Sequence, residues 1–153
     1  MIFTNGNIEL QTRKIKLPRG FEFIVAAMPF GWQVPFSELW PEPAVPKKVT
    51  RGVGGKESVQ YLTDDPRYTT EKMQRDLCLA AYRFRLILKH DPNIQWETPE
   101  LTTRDALVAL GEEFKNCGLT AQELMLLTDA SNHLAGDHVD EQGQEKDVSE
   151  LFV

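Results

Sequence analysis

The chain has 153 residues, of which 41% are hydrophobic, and these figures suit one globular domain with a modest core. Its formal net charge is −6, and residues 137–153 hold six acidic residues against one lysine, so the remainder carries a net charge of −1. A chain without an excess of basic residues gives no electrostatic reason to expect nucleic-acid binding, which depends on neutralising phosphates.

Membrane and disulfide classes are also disfavoured. No apolar run reaches the roughly 18 residues that cross a bilayer, and the first ten residues lack the basic-then-apolar pattern of a signal peptide. Cys78 and Cys117 are the only two cysteines. We interpret them as small buried hydrophobes in a reducing compartment, with a disulfide as the less favoured alternative. We therefore expect a soluble cytoplasmic protein with no membrane partner.

The N-terminal residues 2–28 alternate apolar and polar side chains with the period of two that is typical of strands. Turn-forming residues interrupt the alternation at Asn5-Gly6-Asn7 and at Pro18-Arg19-Gly20. The pattern predicts a small antiparallel hairpin or three-stranded sheet. Because so few strands are marginal alone in water, one face must pack on another element. The apolar alternating positions are Ile8, Leu10, Ile15, Leu17, Phe21, Phe23 and Val25.

Residues 29–64 are rich in proline and then in glycine, and we expect an extended, polyproline-like strip there. The strip also carries Trp32, Phe36 and Trp40. Disordered linkers are poor in aromatic residues, so these side chains should lie against a surface. That surface is either the helices of the chain itself, which is the favoured alternative, or a partner protein. Trp32, Phe36 and Trp40 are therefore candidate partner-binding residues.

The longest periodic segment, residues 65–90, predicts an amphipathic helix around which the rest is organised. Asp65 suits the N-cap and Pro66 the first helical position. Pro92 ends the helix, because the residue before a proline leaves the helical region. The predicted inner face comprises Met73, Leu77, Ala80, Ala81, Phe84, Ile87 and Leu88.

Two shorter helices are predicted after it. Thr102 and Asp105 form a weak capping box for a helix that ends at Gly118, and Thr120 and Glu123 form a better one for the next. The inner face of this last helix comprises Leu124, Leu127, Ser131 and Leu134, and Gly136 is its predicted C-cap. Three helices joined by short connectors enclose one core, so we expect a three-helix bundle.

Residues 137–153 form an acidic segment that we expect to be disordered. It finishes with the apolar residues Leu151, Phe152 and Val153, which are candidates for binding a groove or a sheet edge of a partner. A tail that is frayed or folded loosely on the core is an equally good interpretation. The predicted fold class is α+β. One domain over residues 1–136 has a β-rich part (1–28), the extended strip (29–64) and a helical part (65–136), followed by the acidic tail.

Patterns of catalytic and metal chemistry are absent from the sequence. The three histidines are far apart and have no metal-ligand spacing, so we predict no metal site. Residues 52–57 lack the earlier glycine and the Ser or Thr that a phosphate-binding loop needs. Neither cysteine has the flanking motif of a nucleophile. We predict a protein that is not an enzyme and carries no cofactor.

The order of these motifs resembles tail assembly chaperones of long-tailed bacteriophages. The resemblance covers about residues 21–134 and is carried by Asp-Asp-Pro-Arg-Tyr at 64–68, Ile-Gln-Trp at 94–96 and Gly-Leu-Thr-Ala-Gln-Glu-Leu at 118–124. It implies a small, mainly helical, non-catalytic protein. Such a protein binds the coiled-coil tape-measure protein in the host cytoplasm, keeps it soluble and helps recruit tail-tube subunits.

Two other functions stay open at the level of sequence. The first is a structural virion component of the tail, neck or baseplate, in which the strands and the aromatic strip make permanent contacts. The second is a small adaptor that acts through residues 148–153.

Overall fold

The computed structural model describes residues 1–6 and 8–137, with the exception of the side chain of residue 137. It is a mixed α+β structure with two separate two-stranded antiparallel sheets, so the predicted class is confirmed at that level. The elements in chain order are β1 (Thr12–Lys16), β2 (Glu22–Ala26), α1 (Val34–Leu39), β3 (Lys47–Arg51), β4 (Glu57–Tyr61), α2 (Pro66–Leu88), α3 (Arg104–Asn116) and α4 (Ala121–Asn132).

The first sheet is a hairpin in which β1 and β2 pair from Thr12 opposite Ala26 to Lys16 opposite Glu22. The predicted turn is confirmed, with Gly20 at φ +99°, a conformation that favours glycine. The strand prediction was wrong for Ile8 and Leu10, which lie outside the strands and are 74% and 54% exposed. Alternation shows which residues are able to share a face, but a strand also needs a neighbouring strand to pair with.

The extended strip predicted over residues 29–64 was wrong in two places. Residues Val34–Leu39 form α1, and Pro35 lies in its first turn, where a helix tolerates proline. Further on, β3 and β4 form a second hairpin with Lys47 opposite Tyr61, and Gly54 and Gly55 adopt positive φ in its tip. The prolines therefore mark the start of a helix and the connections between elements rather than one long polyproline segment.

The start of α2 agrees with the sequence. Asp65 caps the helix by accepting hydrogen bonds from the backbone N–H groups of Arg67 at 3.0 Å and Tyr68 at 3.2 Å. Its inner face was partly mispredicted, since Met73 and Leu77 are 72% and 45% exposed. The prediction is confirmed for Ala81, Ile87 and Leu88, which are buried. The other buried residues of α2, which were not predicted, are Arg75, Cys78 and Tyr82.

The shift in the buried face of α2 follows from the helix that packs beside it. The guanidinium group of Arg75 lies under α1, where its Nε donates to the Trp40 carbonyl at 2.9 Å. Its charge lies over the Phe36 ring at 5.2 Å from the centroid. A charged residue becomes buried here because a neighbouring helix end supplies an acceptor, and α1 was not predicted.

The caps of the last two helices are short local motifs. Thr103, one residue later than predicted, caps α3 by accepting from the N–H of Ala106 at 3.1 Å. The predicted capping box of α4 is confirmed, since Thr120 and Glu123 each accept from the other's backbone N–H. The predicted C-cap of α4 was wrong, because α4 ends at Asn132 and His133 is its C-cap. Gly136 lies further on, in a π-helical turn over His133–Asp137, where it adopts φ +124°.

The helices pack around α2, which contacts α3, α4 and β2, while α4 also contacts β2. Three helices alone therefore do not enclose the core, because α1 and the first hairpin share it. One apolar cluster joins the first hairpin, the end of α2 and α4, and comprises Ile15, Leu17, Val25, Ile87, Leu88, Leu127 and Ala130. The other joins α1, the middle of α2 and α3, and comprises Phe36, Trp40, Cys78, Ala81, Tyr82, Leu107 and Leu110.

Between residues 1 and 137, as far as the structure describes them, no helix combines the length and the apolar character that crossing a bilayer requires.

Candidate protein-binding surfaces

An apolar cleft of about 310 Å³ opens where the first hairpin meets the ends of α2 and α3. Its walls come from four stretches of the chain, namely the turn and start of β2, the end of α2, the connector after α2, and the end of α3 with the residues that follow it. The apolar side chains of the walls are Phe21, Phe23, Leu88, Ile94, Trp96, Phe114 and Leu119. A concave, mostly apolar site with a few polar groups is the usual form of a binding pocket.

Two aromatic residues of the cleft walls, Trp96 and Phe114, belong to a group of packed aromatic rings. Phe114 lies 5.7 Å from Phe84 and 5.9 Å from Trp96, measured between ring centroids. The guanidinium of Arg85 covers the Trp96 ring at 4.2 Å. Arg85 also donates to the carbonyls of Thr98 at 2.9 Å and Pro99 at 3.0 Å. These contacts fix the connector, so this wall of the cleft is preformed.

The mouth of the cleft is held by Arg19, in the turn of the first hairpin. Its Nε and Nη2 donate to the carboxylate of Glu123 at 3.0 and 2.6 Å, and Nη2 also donates to the Gly118 carbonyl at 3.0 Å. The Arg19 hydrogen bonds, followed by the Thr120 backbone N–H, lower the pKa of Glu123 to about 2. The paired charges tie the turn of the hairpin to the start of α4 beside the cleft.

Part of the mouth is open to solvent. Phe21 is 53% exposed there and lies under the Arg19 guanidinium at 5.3 Å. Cys117 lines the same mouth and is an exposed free thiol, whereas Cys78 is buried in the core. Burial raises the pKa of the Cys78 thiol, so Cys78 is a poor nucleophile.

The second candidate surface is the hairpin of β3 and β4, all ten strand residues of which are exposed. Val49 and Val59 lie opposite each other at the centre of one face and are each about half exposed. The hairpin is basic, with Lys47, Lys48, Arg51 and Lys56 against Glu57. At its base the N–H of Leu62 donates to the Pro46 carbonyl at 2.7 Å, so the two ends of the hairpin lie side by side.

The candidate residues of the aromatic strip lie in two different settings. Phe36 and Trp40 are 0% and 1% exposed and stack on each other in the core, with 6.1 Å between ring centroids. Trp32 is half-buried and stacks on Tyr82 at 6.5 Å. The strip therefore packs on the helices of its own chain, and Phe36 and Trp40 are not at the surface of this conformation. The other three candidates, Leu151, Phe152 and Val153, lie outside the described residues.

Sequence reasoning missed both surfaces. Phe21 and Phe114 line the same cleft although they are 93 positions apart in the chain, and no local pattern indicates that they share a site. The hairpin did have a local signal, because Lys-Lys-Val-Thr-Arg and Glu-Ser-Val-Gln-Tyr contain β-branched and aromatic residues on either side of a glycine pair. In the described part of the chain, no group of three or more His, Cys, Asp or Glu residues is placed to hold a metal ion.

Comparisons of the chain with protein-family models, with curated proteins and with solved structures found no match. The resemblance to tail assembly chaperones therefore stays a prediction. The function has to be argued from the two surfaces.

Proposed function

We propose that the protein is a non-catalytic tail assembly chaperone that binds the tape-measure protein of a long-tailed phage in the host cytoplasm. The observation that carries the proposal is the preformed apolar cleft between the first hairpin and the ends of α2 and α3. The order of sequence motifs over residues 21–134 supplies the kind of partner.

The cleft suits one face of an amphipathic helix. A coiled-coil protein awaiting assembly exposes a stripe of apolar side chains that would otherwise aggregate. Such side chains enter an apolar groove at spacings of three and four residues. Burying them yields about 25 cal/mol per Å² before the costs of ordering are subtracted. Phe21, half exposed at the mouth, is the side chain that gains most from being covered.

Recruitment of tail-tube subunits would need a second surface while the first is occupied. The β3–β4 hairpin fits this requirement because its strands are exposed on both faces. Both of its outer edges are available for a further strand to pair with.

The test is co-expression with the tape-measure protein of the same genome, comparing wild type with Phe21→Glu. We expect wild type to keep the tape-measure protein soluble and Phe21→Glu to lose most of that effect, because a carboxylate at the mouth opposes apolar contact. Phe30→Glu is the matched control, since Phe30 is fully exposed and does not line the cleft. If co-expression of the wild-type protein leaves the solubility of the tape-measure protein unchanged, the chaperone function is contradicted. Equal effects of the two variants contradict the role of the cleft.

A structural virion component is the second candidate, and the exposed hairpin favours it. Protruding hairpins form permanent contacts between subunits by adding strands to a neighbouring sheet. Mass spectrometry of purified particles separates the two functions. A chaperone leaves the finished particle, whereas a structural component is present in stoichiometric amounts.

A further inference from the structure

The apolar cleft has a candidate occupant within the chain itself. We propose that residues Leu151, Phe152 and Val153 fill the cleft until a partner displaces them. This inference rests on the proposed function only in treating the cleft as a binding surface. It adds a mode of regulation, in which the chain competes with its own partner.

The size and the chemistry of the cleft suit a short apolar segment. A volume of about 310 Å³ lies at the lower end of the range of roughly 300–1,000 Å³ found for ligand pockets, which is enough for a few side chains. Phe21 and Cys117 line the cleft and are exposed to solvent, and the aromatic rings of Trp96 and Phe114 line it as well. Within residues 138–153, Leu151, Phe152 and Val153 are the only three consecutive apolar residues.

The distribution of charge also favours Leu151, Phe152 and Val153 as the residues that occupy the cleft. The rest of this segment is acidic, and carboxylates do not enter an apolar cleft without a partner cation. Arg19 stands at the mouth, with about half of its side chain exposed. An apolar triplet in the cleft would leave the neighbouring Glu150 at the mouth, beside this guanidinium. Both the apolar and the acidic parts of the segment are therefore accommodated.

The intervening chain is long enough to reach. Gly118 and Leu119 line the cleft just before α4, and residue 137 lies beyond the other end of that helix. At 1.5 Å per residue, α4 and the turn after it cover roughly 25 Å. Residues 138–150 span up to about 43 Å when extended. A segment tethered at this distance has an effective local concentration of about millimolar, which favours its own chain over a second copy.

Labelling of Cys117 in the full-length protein tests the proposal. Cys117 lines the mouth, so an occupied cleft should slow its reaction with a maleimide, while buried Cys78 reports any unfolding. The variant is L151S/F152S/V153S. The matched control is V139S/V148S, which removes the other apolar residues of the same segment. We expect Cys117 to react on the order of tenfold faster in the variant than in wild type or the control, corresponding to about 1.4 kcal/mol in favour of the occupied cleft.

Equal rates in all three proteins would overturn the proposal. Slow labelling of wild type that becomes faster on dilution would also overturn it, because the occupant would then be a second copy. The labelling needs no tape-measure protein, so its result is separate from the co-expression test. Equal labelling together with a loss of function in Phe21→Glu would leave the proposed function standing and remove only the regulation.

Discussion

The ion pair between Arg19 and Glu123 makes the contact of the first hairpin with α4 sensitive to acid. Glu123 has its pKa lowered from 4.5 to about 2, first by the Arg19 hydrogen bond, so folding favours its charged form. The stabilisation is complete above about pH 4.5 and is lost as the pH falls towards 2. We expect the free energy of unfolding to fall more steeply over this window in wild type than in Glu123→Gln, as measured by urea denaturation at several pH values.

Glu112→Gln is the control for this pH dependence. Glu112 also pairs with a cation, Lys115 at 3.3 Å, but more than half of each side chain is exposed. Its variant should follow the wild-type pH profile closely, since exposed pairs contribute little. If the free energy of unfolding depends on pH in the same way in wild type and Glu123→Gln, the acid sensitivity does not come from Glu123.

Ser131 makes a second residue contact that joins distant parts of the chain. Its Oγ donates to the Ala26 carbonyl at 2.8 Å, and both residues are buried. Ser131→Ala should lower the free energy of unfolding by about 1–3 kcal/mol, because the carbonyl loses a donor where water does not replace it. Thr128→Ala is the matched control, since Thr128 donates to Leu124 within its own helix at 3.0 Å. Equal losses of stability in the two variants would show that the hydrogen bond to β2 contributes no more than one within α4.

At the scale of elements, α2 and α3 approach closely at Gly111. A Cβ at this position would lie 3.0 Å from Sγ of buried Cys78. Gly111→Ala should gain about 1 kcal/mol from helix propensity. We expect overpacking to outweigh this gain, leaving a net loss of stability of about 1 kcal/mol.

The double variant decides whether this contact is the cause. In a Cys78→Ala background the sulfur is gone, so adding Gly111→Ala should now stabilise the protein. Chemical denaturation of the four proteins in the cycle measures the coupling between the two sites. Additive effects of the two substitutions would mean that the contact with Cys78 does not explain why position 111 favours glycine.

The accuracy of the sequence predictions depended on how local each element's determinants are. The caps at Asp65 and Thr120 were predicted because each depends on a few adjacent residues. The buried face of α2 was predicted only in part, because Arg75 becomes buried only once α1 lies across it. The cleft is less local still, since its walls come from four separate stretches of chain.

At the scale of the whole molecule, two apolar clusters share α2, and Trp96 and Phe114 pack against both. Those two residues also line the cleft. The candidate binding surface is therefore built on the junction of the core, where side chains are held from several directions. A site of this kind keeps its shape before a partner arrives, which lowers the cost of binding.

The β3–β4 hairpin has the opposite relation to the core, and its removal tests that difference. Replacing residues 47–61 by Asn-Gly should join the two ends without strain, because the backbone nitrogen of Leu62 already lies 2.7 Å from the carbonyl oxygen of Pro46. All ten strand residues are exposed, so we expect the free energy of unfolding to change by less than about 1 kcal/mol. Trp40→Ala, which empties part of the core, should cost about 3–5 kcal/mol in the same denaturation experiment.

The same deletion separates the roles of the two surfaces. If the cleft alone binds the tape-measure protein, the shortened chain keeps that protein soluble in co-expression while recruitment of tail-tube subunits is lost. If the hairpin instead forms permanent contacts in the particle, the shortened chain disappears from purified virions. A loss of several kcal/mol in stability would contradict both expectations, because it would mean that the hairpin packs as part of the core. The stability measurement therefore comes first, since it decides whether the functional results report on a surface or on folding.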